Sequence, residues 1–224
     1  MRECVVEDLG RMSYGEAFGI QSKIASERKQ GLGVDRLLFV EHPHTITIGR
    51  NGHAEHLLAP EETLRRAGIE LYETDRGGDV TYHGPGQIVA YPIMDLRDWK
   101  RDVGAFVRAI EQVLIDTLAD FGIEAKRIAG LTGVWTGDVG NEGKVAAIGV
   151  HLSRWVSTHG WALNVSTDLQ NFQYIVPCGL AKPVTSMAAL GVHADSEDVK
   201  SSLIRHFGRV FAYEMQREIV GIYD

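Results

Sequence analysis

The 224-residue chain has only two cysteines, Cys4 and Cys178. That is too few for a disulfide framework, and a reducing cytoplasm is the expected compartment. No apolar run approaches the roughly 20 residues a membrane-spanning helix needs. Residues 1–8 lack the apolar centre of a signal peptide. Basic residues are outnumbered, 23 Lys and Arg against 30 Asp and Glu, for a net charge of −7. That excludes a nonspecific nucleic-acid binder, and an acidic partner would need a local basic patch. There is no internal repeat, no low-complexity tract and no coiled-coil or other association motif, so a monomer is expected. At this length one good core, hence one catalytic domain over residues 1–224, is the natural organisation.

What the chain does have is glycine, 25 residues of it, densest in Arg76-Gly77-Gly78-Asp79-Val80-Thr81-Tyr82-His83-Gly84-Pro85-Gly86-Gln87. Apolar residues follow at once and read as a strand. A polar, glycine-rich loop entering a buried strand is how α/β enzymes line a ligand cleft. The loop has no Gly-Lys-Ser/Thr ending and opens no helix, so it is neither a Walker loop nor a dinucleotide fingerprint.

Periodicity places the remaining elements. Ser13 caps a helix over residues 14–30, and residues 61–67 form a short one. Strands are expected at 36–41, Thr45–Ile48, 69–73 and Gln87–Ile93. The clearest helix is 103–121, with apolar residues at a 3.6-residue period and Gly122 as its stop. Strands follow at 133–136, 144–152 and 160–165. Residues 167–183 read as irregular and 196–215 as a helix. Many strands with few helices, in no strict alternation, predict an α/β fold of the α+β type. It would have a mixed, largely antiparallel sheet flanked by helices. A small helical and irregular C-terminal subdomain is expected from about residue 170.

Two residues could carry chemistry. Cys178 lies in Pro177-Cys178-Gly179. A free cysteine is most often a buried structural one, as Cys4 is expected to be. Here the proline stiffens the approach, the glycine admits a substrate to the sulfur, and the next N–H is free to face an oxyanion. Lys144 opens an apolar strand that reads as covered on both faces. The default is exposure at the strand end. The alternative is a lysine in a cleft, where it shuttles protons and favours a nearby thiolate. His42, His44, His53 and His56 fit no compact zinc spacing, so no metal is expected, and they read as surface or turn residues. His83 and His159, beside glycines in polar turns, are the better candidates for a site.

The glycine-rich segment resembles the signature of the lipoyl(octanoyl) transferases, the octanoyl-[acyl-carrier-protein]:protein N-octanoyltransferases. The likeness continues in Gly143-Lys144-Val145-Ala146-Ala147-Ile148-Gly149-Val150, in Thr158-His159-Gly160-Trp161-Ala162-Leu163-Asn164-Val165 and in Pro177-Cys178-Gly179-Leu180. Glu41-His42-Pro43 and Thr47-Ile48-Gly49-Arg50 resemble the family's early strand pair. The resemblance implies the fold of biotin and lipoate protein ligases. It implies that Cys178 carries an acyl thioester and that Lys144 activates the thiol and serves as acid and base. It implies an acyl site lined by Arg76, Gly77, Gly78, Asp79, Val80, Thr81, Tyr82, His83, Ala147, Ile148, Gly149, Gly160, Trp161 and Ala162. The implied partners are octanoyl-acyl carrier protein as donor, and as acceptors the lipoyl domains of 2-oxoacid dehydrogenase E2 subunits and the glycine-cleavage H protein. No cofactor is implied, since the acyl group arrives on the carrier's phosphopantetheine arm. Arg76, Lys126, Arg127, Arg154 and Lys182 are the basic candidates for carrier docking. The competing readings are an ATP-dependent lipoate or biotin ligase, a cysteine hydrolase and a non-catalytic module that binds lipoyl domains.

Overall fold

The computed structural model describes residues 2–177 and 182–217. In chain order the elements are β1 (Arg2–Arg11), α1 (Tyr14–Lys29), β2 (Asp35–Glu41), β3 (Thr45–Ile48), α2 (Glu61–Arg66), β4 (Glu70–Glu73), β5 (Val80–His83) and β6 (Gln87–Ile93). Then come α3 (Val103–Asp120), β7 (Ala125–Ile128), β8 (Leu131–Thr136), β9 (Gly143–Ser153), β10 (Val156–Asn164), α4 (Ser196–Phe211) and β11 (Tyr213–Arg217). The large sheet runs β11-β1-β2-β6-β10-β9-β8-β7, and a small one runs β4-β3-β5. Strand β1 is parallel to both its neighbours, and the rest of the large sheet is antiparallel. The mixed sheet flanked by helices is the architecture expected. No helix among the described residues is long and apolar enough to cross a membrane.

Local chemistry explains the helix starts. Ser13 and Glu16 form a reciprocal capping box at α1. Asp102 accepts from the Ala105 N–H at α3, and Asp195 from the Glu197 N–H at α4. Helix α4 stops at Phe211, four residues before the expected end. Ala212 takes a left-handed conformation with φ of 56°, and the chain turns into β11 beside β1. Glycine usually marks such a stop, and its absence hides this one. The segment expected as a small subdomain thus supplies β11 to the large sheet and α4 to the main core. Strands β1, β5, β7 and β11 had no separate expectation. Strand β10 begins at Val156 rather than 160 because Arg154 and Trp155, both at positive φ, make a tight two-residue hairpin turn. Such turns normally carry Asn-Gly.

The large sheet has two different faces. On one, α3 and α4 bury Phe106, Ile110, Leu114, Leu203, Phe207 and Phe211 against Leu37, Phe39, Trp161 and Leu163. On the other, α1 packs Ala17, Ile24 and Ala25 against Leu38, Val40, Val89, Tyr91 and Ala162. The small sheet continues this second face and leaves a hollow against β9 and β10.

Candidate active site

Strand alternation decides what β5 shows the hollow. Thr81 and His83 face it, whereas Val80 and Tyr82 pack with Ile46, Leu64, Ile69 and Ile175 behind it. On the opposite wall Ala147 pairs with Ala162 and Gly149 with Gly160, so small residues face small residues across β9 and β10. The hollow is a narrow cleft between these walls. Arg76, Gly78, Thr81, His83, Ala147, Ile148, Gly149, Gly160, Trp161 and Ala162 line it, as do Tyr14, Val89, Tyr91 and His159. Gly77, Asp79, Val80 and Tyr82 do not. Ile148 and Trp161 send their side chains into the helix-side core, so their part in the wall is main chain. Tyr14, Val89 and Tyr91 gave no sequence signal, because each also fits a core-facing helix or strand position.

The glycines serve backbone contact rather than roominess. A Cβ on Gly49 would lie 2.3 Å from the Gly78 carbonyl oxygen, and one on Gly149 2.7 Å from that of Gly77. A Cβ on Gly160 would meet the Ala90 carbonyl oxygen at 2.0 Å. Loop 76–79 is therefore clamped main chain to main chain between the two sheets. Arg76, only 7% exposed, secures it by donating to Thr47 Oγ1 and to the carbonyls of Thr47, Gly77 and Asp79. Burial removes Arg76 from the expected carrier-docking patch. Of the other candidates, Lys126 donates to the Gly137 carbonyl, Arg127 pairs with Glu111, and Lys182 pairs with Glu142.

Lys144 is where the structure departs most from the pattern of the chain. Strict alternation would put its side chain with Ala146 and Ile148, under α3. The β8–β9 register shifts between Val134, opposite Ala146, and Trp135, opposite Lys144. One extra residue, Val145, is thereby accommodated in β9 and buried in the helix-side core. This bulge turns Lys144 to the face of Ala147, as bulges beside active sites do. Lys144 is 5% exposed, with its ammonium 4.8 Å from the centre of the Trp135 ring. It lines a small chamber with Gln87, Asn164, Phe172, Pro177 and Val184. Thr81, Ala147 and Ala162 line both this chamber and the larger hollow, so the two lie side by side.

Cys178 lies outside the described residues. The chain on either side of it is anchored. Before it, Val176 donates to the His56 carbonyl and Leu57 bridges Ile175. After it, the Lys144 N–H donates to the Pro183 carbonyl and the Thr185 N–H to the Lys144 carbonyl. Cys4 is buried, and burial together with Asp35 raises its thiol far above the ordinary range. Its burial fits the structural role expected of it.

A buried polar network stiffens the walls. His83 donates from Nδ1 to Gln87 Oε1 at 2.8 Å, and Gln87 donates to the Tyr82 carbonyl and to Asn164 Oδ1. Asn164 in turn donates to the Thr185 carbonyl, carrying the network to the segment beside Lys144. Burial, aided by His42, pushes the His83 imidazole down to about 3, so it stays neutral near pH 7. His42, expected at a turn or surface, is fully buried. It donates to the Met12 carbonyl and accepts from the Tyr91 hydroxyl. Burial lowers its pKa too. His44 bonds the Tyr82 hydroxyl, and His56 the Asp79 carboxylate. These histidines are thus scaffold parts, and Asp79 helps to hold loop 76–79. Among the described residues no group of three His, Cys, Asp or Glu could hold a metal ion. His159 donates from Nε2 to Asp75 at 2.7 Å and accepts from the Tyr14 hydroxyl at 3.2 Å. Burial keeps it neutral against the pull of Asp75.

Comparison with known proteins bears on this arrangement. Residues 13–208 match the model of the lipoyl protein ligase A/B catalytic domain. A protein of Solibacter usitatus named octanoyltransferase is 65% identical over 215 residues, covering 96% of each chain. One of the same name from Chloroflexus aurantiacus is 45% identical, covering 99% of this chain and all of that one. Among solved structures, a bipartite lipoate protein ligase of Thermoplasma acidophilum superposes with a TM-score of 0.76 at 17% identity, over 99% of this chain and 89% of that one. The biotin protein ligase of Aquifex aeolicus superposes with a TM-score of 0.52 at 10% identity, over 95% and 70%. Likenesses of that kind speak for the fold.

Proposed function

The chain belongs to the lipoyl protein ligase A/B catalytic-domain family, and from that premise we propose that it moves an octanoyl group from acyl carrier protein to a lysine of lipoyl domains. It is an acyltransferase, sharing almost its whole length with the octanoyltransferases it resembles. The donor is a thioester on the carrier's phosphopantetheine arm, and the acceptor is the ε-amine of a lysine on an E2 lipoyl domain or an H protein. A thioester is already activated, so the reaction calls for no ATP and no cofactor.

Cys178 attacks the thioester carbonyl carbon as its thiolate. The new C–S bond forms as the bond to the phosphopantetheine sulfur breaks, and the carrier leaves as a thiol. The acceptor amine then attacks the octanoyl-enzyme, a C–N bond forms, and the cysteine sulfur is expelled. Lys144 promotes the thiolate in the first half and takes the amine's proton in the second. Exchange between thioesters is nearly balanced, whereas amide formation is downhill and drives the cycle. Each methylene buried contributes about 0.8 kcal/mol, so two carbons change binding by about 1.6 kcal/mol.

One observation carries the reading. Lys144 and Pro177, the residue before Cys178 in sequence, line a single chamber, and Thr81, Ala147 and Ala162 are shared between it and the neighbouring hollow. The test is an intact-mass measurement after mixing with octanoyl-carrier protein, with and without ATP, and then with an apo lipoyl domain. The expected result is one octanoyl group gained without ATP, lost on adding the acceptor, and never gained by Cys178→Ser. A strict need for ATP, or an adduct on another residue, would overturn it.

A further inference from the structure

The hollow meets a second, outer cleft at one side chain. That cleft lies between Phe18 of α1, Arg50, and the segment from Tyr72 to Asp75. Among the described residues Tyr14 is the only one that lines both. Its ring is 3% exposed and lies between them at the first residue of α1.

Tyr14 is held from behind. Its hydroxyl donates to His159, and His159 donates to the Asp75 carboxylate. The backbone of His159 sits at φ of 57°, in the left-handed region that favours glycine. Its N–H donates to Gln21 Oε1 at 2.8 Å, which fixes that conformation. A strained residue kept by specific partners is a mark of a positioned side chain.

The spacing matches an acyl chain. The Ala147–Ala162 pair borders the Lys144 chamber, and the Val150–His159 pair lies three residues further along β9 and β10. At a strand rise of about 3.3 Å per residue, that distance is about 10 Å. An extended eight-carbon chain, with C–C bonds of about 1.5 Å, spans roughly 9 Å. With a thioester carbonyl beside Ala147 and Ala162, the eighth carbon would reach the His159 end of β10, where the Tyr14 hydroxyl bonds His159.

We propose that Tyr14 is the stop that sets acyl-chain length, with His159 and Asp75 as its positioning residues. The assignment rests on the octanoyl transfer proposed above, and removing the stop would let longer chains run on into the outer cleft.

The test is the rate of acyl-enzyme formation with six-, eight-, ten- and twelve-carbon carrier thioesters, on variants whose melting curves show a folded protein. Wild type should fall off sharply beyond eight carbons. Tyr14→Leu should raise the twelve-to-eight rate ratio at least tenfold, and Tyr14→Trp should move the optimum to six carbons. Tyr14→Phe keeps the ring but loses its hold on His159, so it should blur the cut-off, raising the twelve-to-eight ratio less than Tyr14→Leu does; a cut-off as sharp as wild type would overturn the positioning role of His159 and Asp75. Leu and Trp act in opposite directions, so either folded variant decides. An unchanged length profile in that variant, beside an octanoylated wild type, overturns the stop alone. A wild type that acquires no acyl group overturns the proposed function and the stop with it.

Discussion

The two faces of the large sheet come from the same strands yet differ in kind. The helix face is large and apolar, with Phe207 and Phe211 ring to ring at 4.5 Å and Trp161 beside them. The other face is apolar where α1 covers it, but along β9 and β10 it is small, with alanines and glycines opposite hydrogen-bonded His83, His159, Gln87 and Tyr14. A core filled by large side chains excludes every ligand. A face stripped to Ala and Gly leaves a hollow, and its polar groups must then be satisfied by one another. The comparison teaches that the stable core and the proposed chemistry are divided by face, and that the bulge at Val145 turns Lys144 to the cavity side.

The largest expected effect is at Lys144. Lys144→Ala should lower the rate of octanoyl transfer by about 10²–10⁴, the usual contribution of a positioned acid–base group. The same variant should slow alkylation of Cys178 by iodoacetamide at neutral pH. If a stopped-flow assay shows transfer unchanged, the division by face is broken at its main residue.

Next in size is the helix face. Phe207→Ala should cost about 3–5 kcal/mol of stability, read from the urea midpoint, because a large aromatic leaves a cavity. Its transfer rate per folded molecule should stay at the wild-type level. A loss of rate in folded Phe207→Ala would mean the faces are coupled.

The smallest effect concerns pH. An unfolded histidine binds its proton near 6.5, whereas His83 does so only at about 3. Between those values the unfolded state holds more protons. The stability His83 contributes is therefore complete above about pH 6.5 and declines as pH falls towards 3, by about 1.4 kcal/mol per pH unit. His42 and His159, also lowered by burial, add to the same slope. Urea midpoints at pH 7, 6 and 5 should fall in that order, and His83→Gln should flatten the decline. A flat profile in the wild type would show that these histidines are not held neutral.

Much of this was legible in the chain. The helix at residues 103–121 followed from its apolar period and ended within a residue of α3. The capping serine of α1 was read from type and position. The glycine-rich segment reads as the wall of a ligand cleft, and ten of the residues expected there meet in one hollow. Strand β5 was hidden inside that segment, because four residues flanked by glycines look like loop. His42 was misread as a turn or surface residue because a polar side chain gives no sign of burial until its partners, here Met12 and Tyr91, are brought to it, whereas His53 is exposed as expected.

By itself, the sequence determined the local structure: where helices begin, which strands are apolar, and which residue types stand ready for thiol and amine chemistry. These depend on near neighbours, whose spacing is written in the chain. Only the tertiary structure decided which side each residue serves. The bulge that turns Lys144 around is a mismatch between β8 and β9, and no single strand contains it. The clamp on loop 76–79 needs Gly49 and Gly149 from two sheets, and the hold on Tyr14 needs His159 and Asp75 from distant segments. Such contacts exist only after the sheets have met, because register and packing are relations between strands.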